Sequence, residues 1–344
     1  MIITGTDQHV AWQRRVLPPV EQVRPGVWSI PVPIPRSPLR YTLSYAFLDE
    51  PGVLLVDPGW DSAEGREALT AGLGVAGASV ADVTGVVATH VHPDHHGLSG
   101  WVRERSGAWI GMHPVEASTL PGRLWRDADP AADRAWLLRH GVPESFALEI
   151  TVDPAKMSTV LGMAEPDRAI EDGDLLPLAR HEVHAVWTPG HTPGHLCLHD
   201  AAAGVLLTGD HLLPRISPNI GIHSRDEGDP LSAYLDSLEH VAKFSDDEAL
   251  PAHEYRFRGI DDRAADLIHH HDERGLEILR VIRGHGAPTA WQIAEGLTWS
   301  RGWDALQGML RRMALAETLA HLHHLAARGT VQLAAGEPAR WRAS

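Results

Sequence analysis

A single cysteine, Cys197, stands in a chain of 344 residues, so no internal disulfide can form and the protein reads as one that folds in the reducing cytoplasm. The opening stretch MIITGTDQHVAWQRR lacks the basic-then-apolar order of a secretory leader. No apolar run approaches the roughly 20 residues that span a bilayer, which excludes membrane insertion. Basic residues are outnumbered, 30 against 45 acidic ones, giving a formal net charge of -15. Such a surface repels phosphate backbones unless a local cation intervenes, so nucleic acid is a disfavoured partner. No G-x-S-x-G elbow is present to supply a serine nucleophile. The run from Gly72 to Gly77 matches G-x-G-x-x-G, but it follows a helix-like segment instead of opening a helix after a strand, and is not a nucleotide loop.

What the chain does contain is an apolar fraction of 43%, enough for one large or two medium globular domains, and 23 histidines. Residues 26–57 alternate short β-branched or aromatic runs with Gly and Pro breaks, the pattern of an antiparallel meander. SAEGREALTAGL reads as a helix and DVTGVVATH as an apolar strand ending on histidine. From about 113 to 170, helix-favouring segments broken by proline form an expected insertion. Strand-like runs return at HEVHAVWTPG and GVLLTGD, followed by the helix-like PLSAYLDSLEHVAKF and by EALPAHEY. After Tyr255 come long Ala, Leu, Arg and His helices and then VQLAAGEPARWRA, two short strands around a turn; three helices and a hairpin suggest a winged-helix module. The expected domains are therefore 1–261 and 262–344. The second carries a net charge of +1 and the first one of -16.

The chemistry concentrates where strands end. Thr89-His90-Val91-His92-Pro93-Asp94-His95-His96-Gly97 packs four histidines and an aspartate into a turn directly after an apolar strand. A strand end followed by a tight loop can aim alternate side chains into one pocket, which is what several ligands of a metal site require. Imidazole with carboxylate favours zinc, iron or manganese. Further ligand-type residues recur at the ends of strand-like runs: His191 in TPGHTPGH, Asp210 in LLTGDH and His253 in PAHEY. By contrast His269, His270 and His271 are consecutive on a helix and diverge, so a solvated or packing role is expected. His321, His323 and His324 are assigned to the polar flank of the last helix. Cys197, in the apolar run LCL, is expected to be a packed thiol.

The ordered set of Asp57 in LLVDPG, the H-x-H-x-D-H turn, His191, Asp210 and His253 resembles the metallo-β-lactamase superfamily over most of residues 26–257. The resemblance implies an α/β fold, the αββα sandwich with metals at the sheet edges, here with the helical insertion and a C-terminal winged-helix domain. It implies that His90, His92 and His191 hold one metal and that Asp94, His95 and His253 hold a second. Asp210 then bridges both, and a hydroxide fills the remaining bridge. Two zinc ions are expected, with iron or manganese as alternatives. Asp57 would orient the His90 loop, and His195 would lie behind the ligands or face substrate. Asp94 or Asp210 would accept the nucleophile's proton, and a metal, His195 or Tyr255 would stabilise the oxyanion.

The bridging Asp210 with the HEY at 253–255 is similar to the glyoxalase II branch, but no counterpart to that enzyme's basic glutathione-binding region is found, and its substrate is not carried over. The tail, with HHHDERGLEIL and the winged-helix pattern, resembles the β-lactamase-like 2 group, which includes nucleases of single-stranded RNA and proteins that look like thioester or ester hydrolases. The expected function is a dinuclear zinc hydrolase of a small ester, thioester or lactone. A metal-dependent endoribonuclease or phosphodiesterase is the alternative, and an iron oxidoreductase on the same ligands a third. The last helix offers Arg328 and histidines but no basic recognition face, so a structural or dimerising role is expected for the module, with a homodimer possible. Trp125, Trp136, Leu137, Met157, Leu161 and Met163 are expected either to line an apolar substrate cap or to form the insertion's own core.

Overall fold

A computed structural model of the chain describes residues 1–120, 129–151, 163–224 and 228–344. It divides into two compact units. The first joins Met1–Arg126, Ser158–Pro218 and Ser237–Ala265; the second joins Asp127–Met157, Asn219–Asp236 and Asp266–Ser344. Among the described residues no helix is long and apolar enough to cross a membrane.

The first unit opens with strand β1 (Ile2–Ile3) and helix α1 (Thr6–Arg14). Its larger sheet runs in the order β2 (Glu21–Arg24), β3 (Val27–Pro33), β4 (Tyr41–Leu48), β5 (Val53–Val56), β6 (Val83–Val87), β7 (Trp109–Met112) and β8 (Arg168–Ala169). Pairing is antiparallel as far as β5 and parallel beyond it. The expected meander is thus β3 to β5, and the switch to parallel pairing coincides with α2 (Ala63–Ala76), the crossover that a parallel strand requires. Ser62 caps α2, its side chain accepting from the Gly65 N–H at 2.9 Å.

The second sheet has the order β1-β13-β12-β11-β10-β9, with β9 (Val183–Trp187), β10 (Leu196–Asp200), β11 (Val205–Gly209), β12 (Glu248–Pro251) and β13 (Phe257–Arg258). Alternation decides which sheet faces meet. Tyr41, Leu43, Tyr45 and Phe47 of β4 share a buried cluster with Val183, Ala185, Leu196, Leu198, Val205 and Leu207 of the other sheet. On the opposite face Ile30, Val32, Ala46 and Leu55 pack under Leu69 and Leu73 of α2 and under Leu98 and Val102 flanking and within α4 (Ser99–Ser106, after the short α3, Pro93–His96). This is the αββα sandwich. A Cβ on Gly72 would lie 2.3 Å from Ile30 Cγ2, so this glycine serves close helix–strand packing.

Within the insertion α5 (Pro114–Ser118) belongs to the first unit, whereas α6 (Pro130–Arg139) and α7 (Glu144–Ile150) belong to the second. There they join the later part of α9 (Ile260–His285), which follows α8 (Pro230–Val241), together with α10 (Ala290–Gly296), α11 (Met309–Ala327) and the hairpin of β14 (Val331–Ala334) and β15 (Arg340–Ala343). The fastening is polar: buried Arg312 of α11 donates to both Asp133 carboxylate oxygens, at 2.7 and 2.8 Å, and to the Ile150 carbonyl at 3.0 Å. Leu137 is fully buried in this unit, while Met163 packs against the Val91 and Met112 cluster of the first. Trp125, Met157 and Leu161 lie outside the described residues. His321 is a correction to the polar-flank assignment. It is buried, its Nδ1 donates to the Glu317 carbonyl at 2.9 Å, and its Nε2 meets His271 Nδ1 at 3.1 Å.

Candidate metal centre

Every ligand-type residue sits where a strand gives out. β6 runs into His90, His92, Asp94 and His95; β9 runs into His191; β11 ends at Gly209, before Asp210; β12 ends at Pro251, before His253. Two groups form: His90, His92, His191 and Asp210, and Asp94, His95 and His253, the ligand atoms of each lying within 4.8 Å of one another. All seven residues expected to bind metal come together.

The backbone fixes which nitrogen each ring presents. Asp57 accepts from the Thr89 N–H at 2.8 Å and the Thr89 hydroxyl at 2.7 Å, and His95 Nδ1 donates to its Oδ2 at 2.8 Å. Thr89 Oγ1, its own proton committed to Asp57, accepts from His90 Nδ1 at 3.0 Å. His253 Nδ1 donates to the Tyr41 carbonyl at 2.9 Å. Nε2 of His90, His95 and His253 is thereby left to point inward, the arrangement by which outer partners orient ligating imidazoles. His92 presents Nδ1, 2.9 Å from His90 Nε2 and 3.1 Å from His191 Nε2. These separations approach the edge of about 3.3 Å spanned by ligands at about 2.0–2.1 Å on a tetrahedron.

The residues fit a divalent metal. Among the described residues, buried His95 Nε2, His253 Nε2 and Asp210 Oδ1 have no hydrogen-bond partner, and a buried polar atom without one is costly. Asp210 Oδ1 lies 3.1 Å from His253 Nε2 and 3.4 Å from His95 Nε2, while its Oδ2 faces His191 Nε2 at 3.7 Å. One oxygen therefore addresses each group. Burial pushes His92 down to about 3, with His191 adding to the effect, and likewise holds His90 well below the usual imidazole range. Burial also works downward on His253, but Asp210 and Asp94 outweigh it and push the ring up to about 10; Asp210 and Asp57 likewise outweigh burial at His95 and hold it well above the usual imidazole range. The carboxylates thus demand positive charge at this spot, which a cation supplies.

Of the four residues assigned to catalysis, Asp94 and Asp210 lie within the ligand groups. His195 is fully buried, and both its nitrogens are engaged: Nδ1 donates to Thr188 Oγ1 at 2.8 Å and Nε2 accepts the Asp210 N–H at 3.2 Å. It holds the Asp210 backbone. Gly209 permits this contact, since a Cβ there would lie 2.6 Å from His195 Nε2, at a φ of +50°. Tyr255 packs edge-on against His9 and Trp12, with ring centres at 4.8 and 6.2 Å, outside both ligand groups. Cys197 is buried and its thiol is pushed up by burial to about 12, so it is packed and inert.

Glu116 of α5 was not anticipated. Buried completely, it accepts the Val91 N–H at 2.7 Å through one oxygen and the Gly194 N–H at 2.9 Å through the other, tying the His90–His95 turn to the His191 loop. Nothing local in HPVEASTL announces this, because both partners are backbone amides far away in sequence.

The metallo-beta-lactamase superfamily pattern matches residues 38–253. A metallo-beta-lactamase family protein from Thermus thermophilus superposes with a TM-score of 0.79 and 32% identity, covering 94% of this chain and 100% of its own. A beta-lactamase domain protein from Burkholderia ambifaria gives 0.80 and 28%, covering 94% and 93%. In sequence the chain is 30% identical over 125 residues to the acyl-coenzyme A thioesterase MBLAC2 of Gallus gallus, a match spanning 36% of this chain and 40% of that protein. With the ligand order, the sandwich and the superfamily match in agreement, this chain belongs to the metallo-beta-lactamase superfamily and is a metal-dependent hydrolase.

Proposed function

We propose that the protein is a dinuclear zinc hydrolase of a small ester or lactone or, in the reading we favour, a thioester. The observation that carries this is Asp210, whose two carboxylate oxygens face two separate histidine groups. His90, His92 and His191 would hold one ion, Asp94, His95 and His253 the other, and Asp210 would touch both. Bound zinc would supply water of lowered pKa and polarise the substrate carbonyl. The chain's own part is orientation and proton handling. Asp57, Thr89, Tyr41 and His195 hold the ligands in place. His92, His191 and Asp94 are the half-buried members of the set, whereas His90, His95, Asp210 and His253 are buried. The carboxylate of Asp94 or Asp210 would take the proton released as water attacks. The thioester preference rests on the likeness to the avian thioesterase. The helices and hairpin of the second unit we propose as a winged-helix module of structural or dimerising role.

Zinc-loaded protein incubated with acyl thioesters, lactones and short single-stranded RNA, read by mass spectrometry beside Asp210→Ala, tests the assignment. Loss of a thioester or lactone with the unaltered protein alone is the expected result. Selective cleavage of RNA overturns it.

A further inference from the structure

Beside the metal centre the first unit carries a second cluster that the hydrolytic chemistry does not use. α1 brings Trp12, the β3–β4 loop brings Arg40, the segment after Asp210 brings Arg215, the residues after His253 bring Glu254, and the start of α9 brings Arg263. All belong to the same compact unit. The Arg215 guanidinium lies 4.0 Å from the centre of the Trp12 ring and that of Arg40 lies 5.5 Å from it. Arg40 also donates to the Trp12 carbonyl at 2.8 Å. Arg263 donates to the carbonyls of Leu213 at 2.8 Å and Ile216 at 3.0 Å, clamping the segment from which Arg215 projects. Among the described residues Arg215 makes no hydrogen bond, and its side chain is exposed.

The cluster adjoins the metal ligands through the backbone. Tyr41, next to Arg40, gives its carbonyl to His253, and Thr42 donates its hydroxyl to the Asp94 carbonyl at 2.8 Å. Tyr41 also donates its hydroxyl to the Glu254 carbonyl at 2.8 Å. Strain gathers here too: Arg40 at φ 71° and Glu254 at φ 69° hold left-handed conformations that non-glycine residues adopt at a cost. The positive charges of Arg215, Arg263 and Arg40 all act on the Glu254 carboxylate, in a chain of formal net charge -15. In a chain of this net charge, a cationic, aromatic-backed rim beside the metals has a ligand-directed consequence.

We propose that Arg40 and Arg215, backed by Trp12 and fixed by Arg263, bind an anionic group, phosphate or carboxylate, on the part of the substrate remote from the bond that is cut. The substrate class is then an anion-bearing acyl compound, and this deepens, and rests on, the hydrolase reading. Arg215 supplies uncommitted fork donors, and Arg40 adds charge close to the second ligand group.

Titration of inorganic phosphate into the zinc-loaded full chain, followed by ³¹P NMR, tests the site directly. Binding weakened by about tenfold in Arg215→Gln, and restored in part by Arg215→Lys, is expected. Phosphate held at the metals alone would give the same affinity in wild type, Arg215→Gln and Arg40→Gln, and would overturn the proposal, as would no binding at all. A kinetic pair identifies the group's role: one acyl chain carried as a thioester on coenzyme A, which is phosphorylated, and on neutral N-acetylcysteamine. Arg215→Gln should raise KM for the first by about tenfold and leave the second unchanged. An equal effect on both overturns the proposal. If wild type cleaves neither thioester while Arg215→Gln still loses phosphate, the anion site stands and the thioester reading falls.

Discussion

Two sets of buried histidines occupy the two units, and they behave in opposite ways. In the first unit His90, His95 and His253 are each anchored through Nδ1 and present Nε2 to a space they share with Asp94 and Asp210. In the second unit His321 gives its Nδ1 to a helix carbonyl and turns its Nε2 to His271 Nδ1, with Tyr234 edge-on to His271. Burial alone therefore does not make a ligand. The distinction shows at His95 and His253, which Asp210 and its neighbouring carboxylates drive upward, whereas burial holds His90 down and, with no carboxylate opposing it, drives His271 down to about 2 and His321 down to about 4. One set is built to receive a cation and the other to stay neutral.

Removing the carboxylate should collapse the contrast. Asp210→Ala is expected to lose bound metal and to cut turnover by more than about a hundredfold, since it removes a ligand and not merely an outer partner. His271→Ala should leave the metal content, measured by mass spectrometry of the ions, at the wild-type value. A variant at 210 that kept its full complement of metal would end the comparison. The second unit should answer to a different deletion. Asp133→Ala leaves the Arg312 guanidinium buried without its partner, and a loss of about 3–5 kcal/mol in denaturant unfolding is expected, with no change in metal per chain.

What could be read along the chain follows the same line. The seven ligand-type residues were legible because each sits in a short motif at a strand's end, where local spacing already limits where side chains can point. The β3–β5 meander and α2 were legible for the same reason. Strand β1 was not, because its partner, β13, lies some 250 residues away, Ile2 opposite Arg258, and two residues carry no period. Nor was the burial of His321, which depends on α9 crossing α11, or the membership of α6 and α7 in the second unit, which rests on Arg312 reaching Asp133. Glu116 and the arginine cluster are of this kind too: single residues made meaningful by distant backbone.

Glu116 sharpens the comparison from outside the ligand set. It joins the two loops that carry His90, His92 and His191 without touching a ligand atom, so Glu116→Ala should weaken metal binding by about 10–100-fold while every ligand remains. Glu116→Gln, which keeps an acceptor oxygen but sets an amide N–H against one of the two backbone donors, should recover part of that loss. Competition with a chromophoric chelator measures both. Equal metal affinity in all three proteins would reduce Glu116 to a packing role.

The smallest expected effect follows from the neutral pair, and its sign is fixed by linkage. His271 and His321 have folded-state values of about 2 and about 4, below the ordinary 6.5 that they regain on unfolding. Between pH 4 and 6.5 the unfolded chain therefore binds more protons at these two positions than the native one. The stability they contribute is complete above pH 6.5 and drains away as the pH falls toward 4. His253 has the reverse sign once a chelator has taken the metals: raised to about 10, its contribution is complete below 6.5 and is lost as the pH rises through 10. The double variant His271→Leu/His321→Leu should flatten only the acid limb, lowering proton uptake on unfolding by up to about two, and leave the alkaline limb of the chelated protein as it was. Unfolding midpoints collected across pH 4–10 for both proteins decide it, and an unchanged acid limb would mean that the pair is not held neutral by its burial.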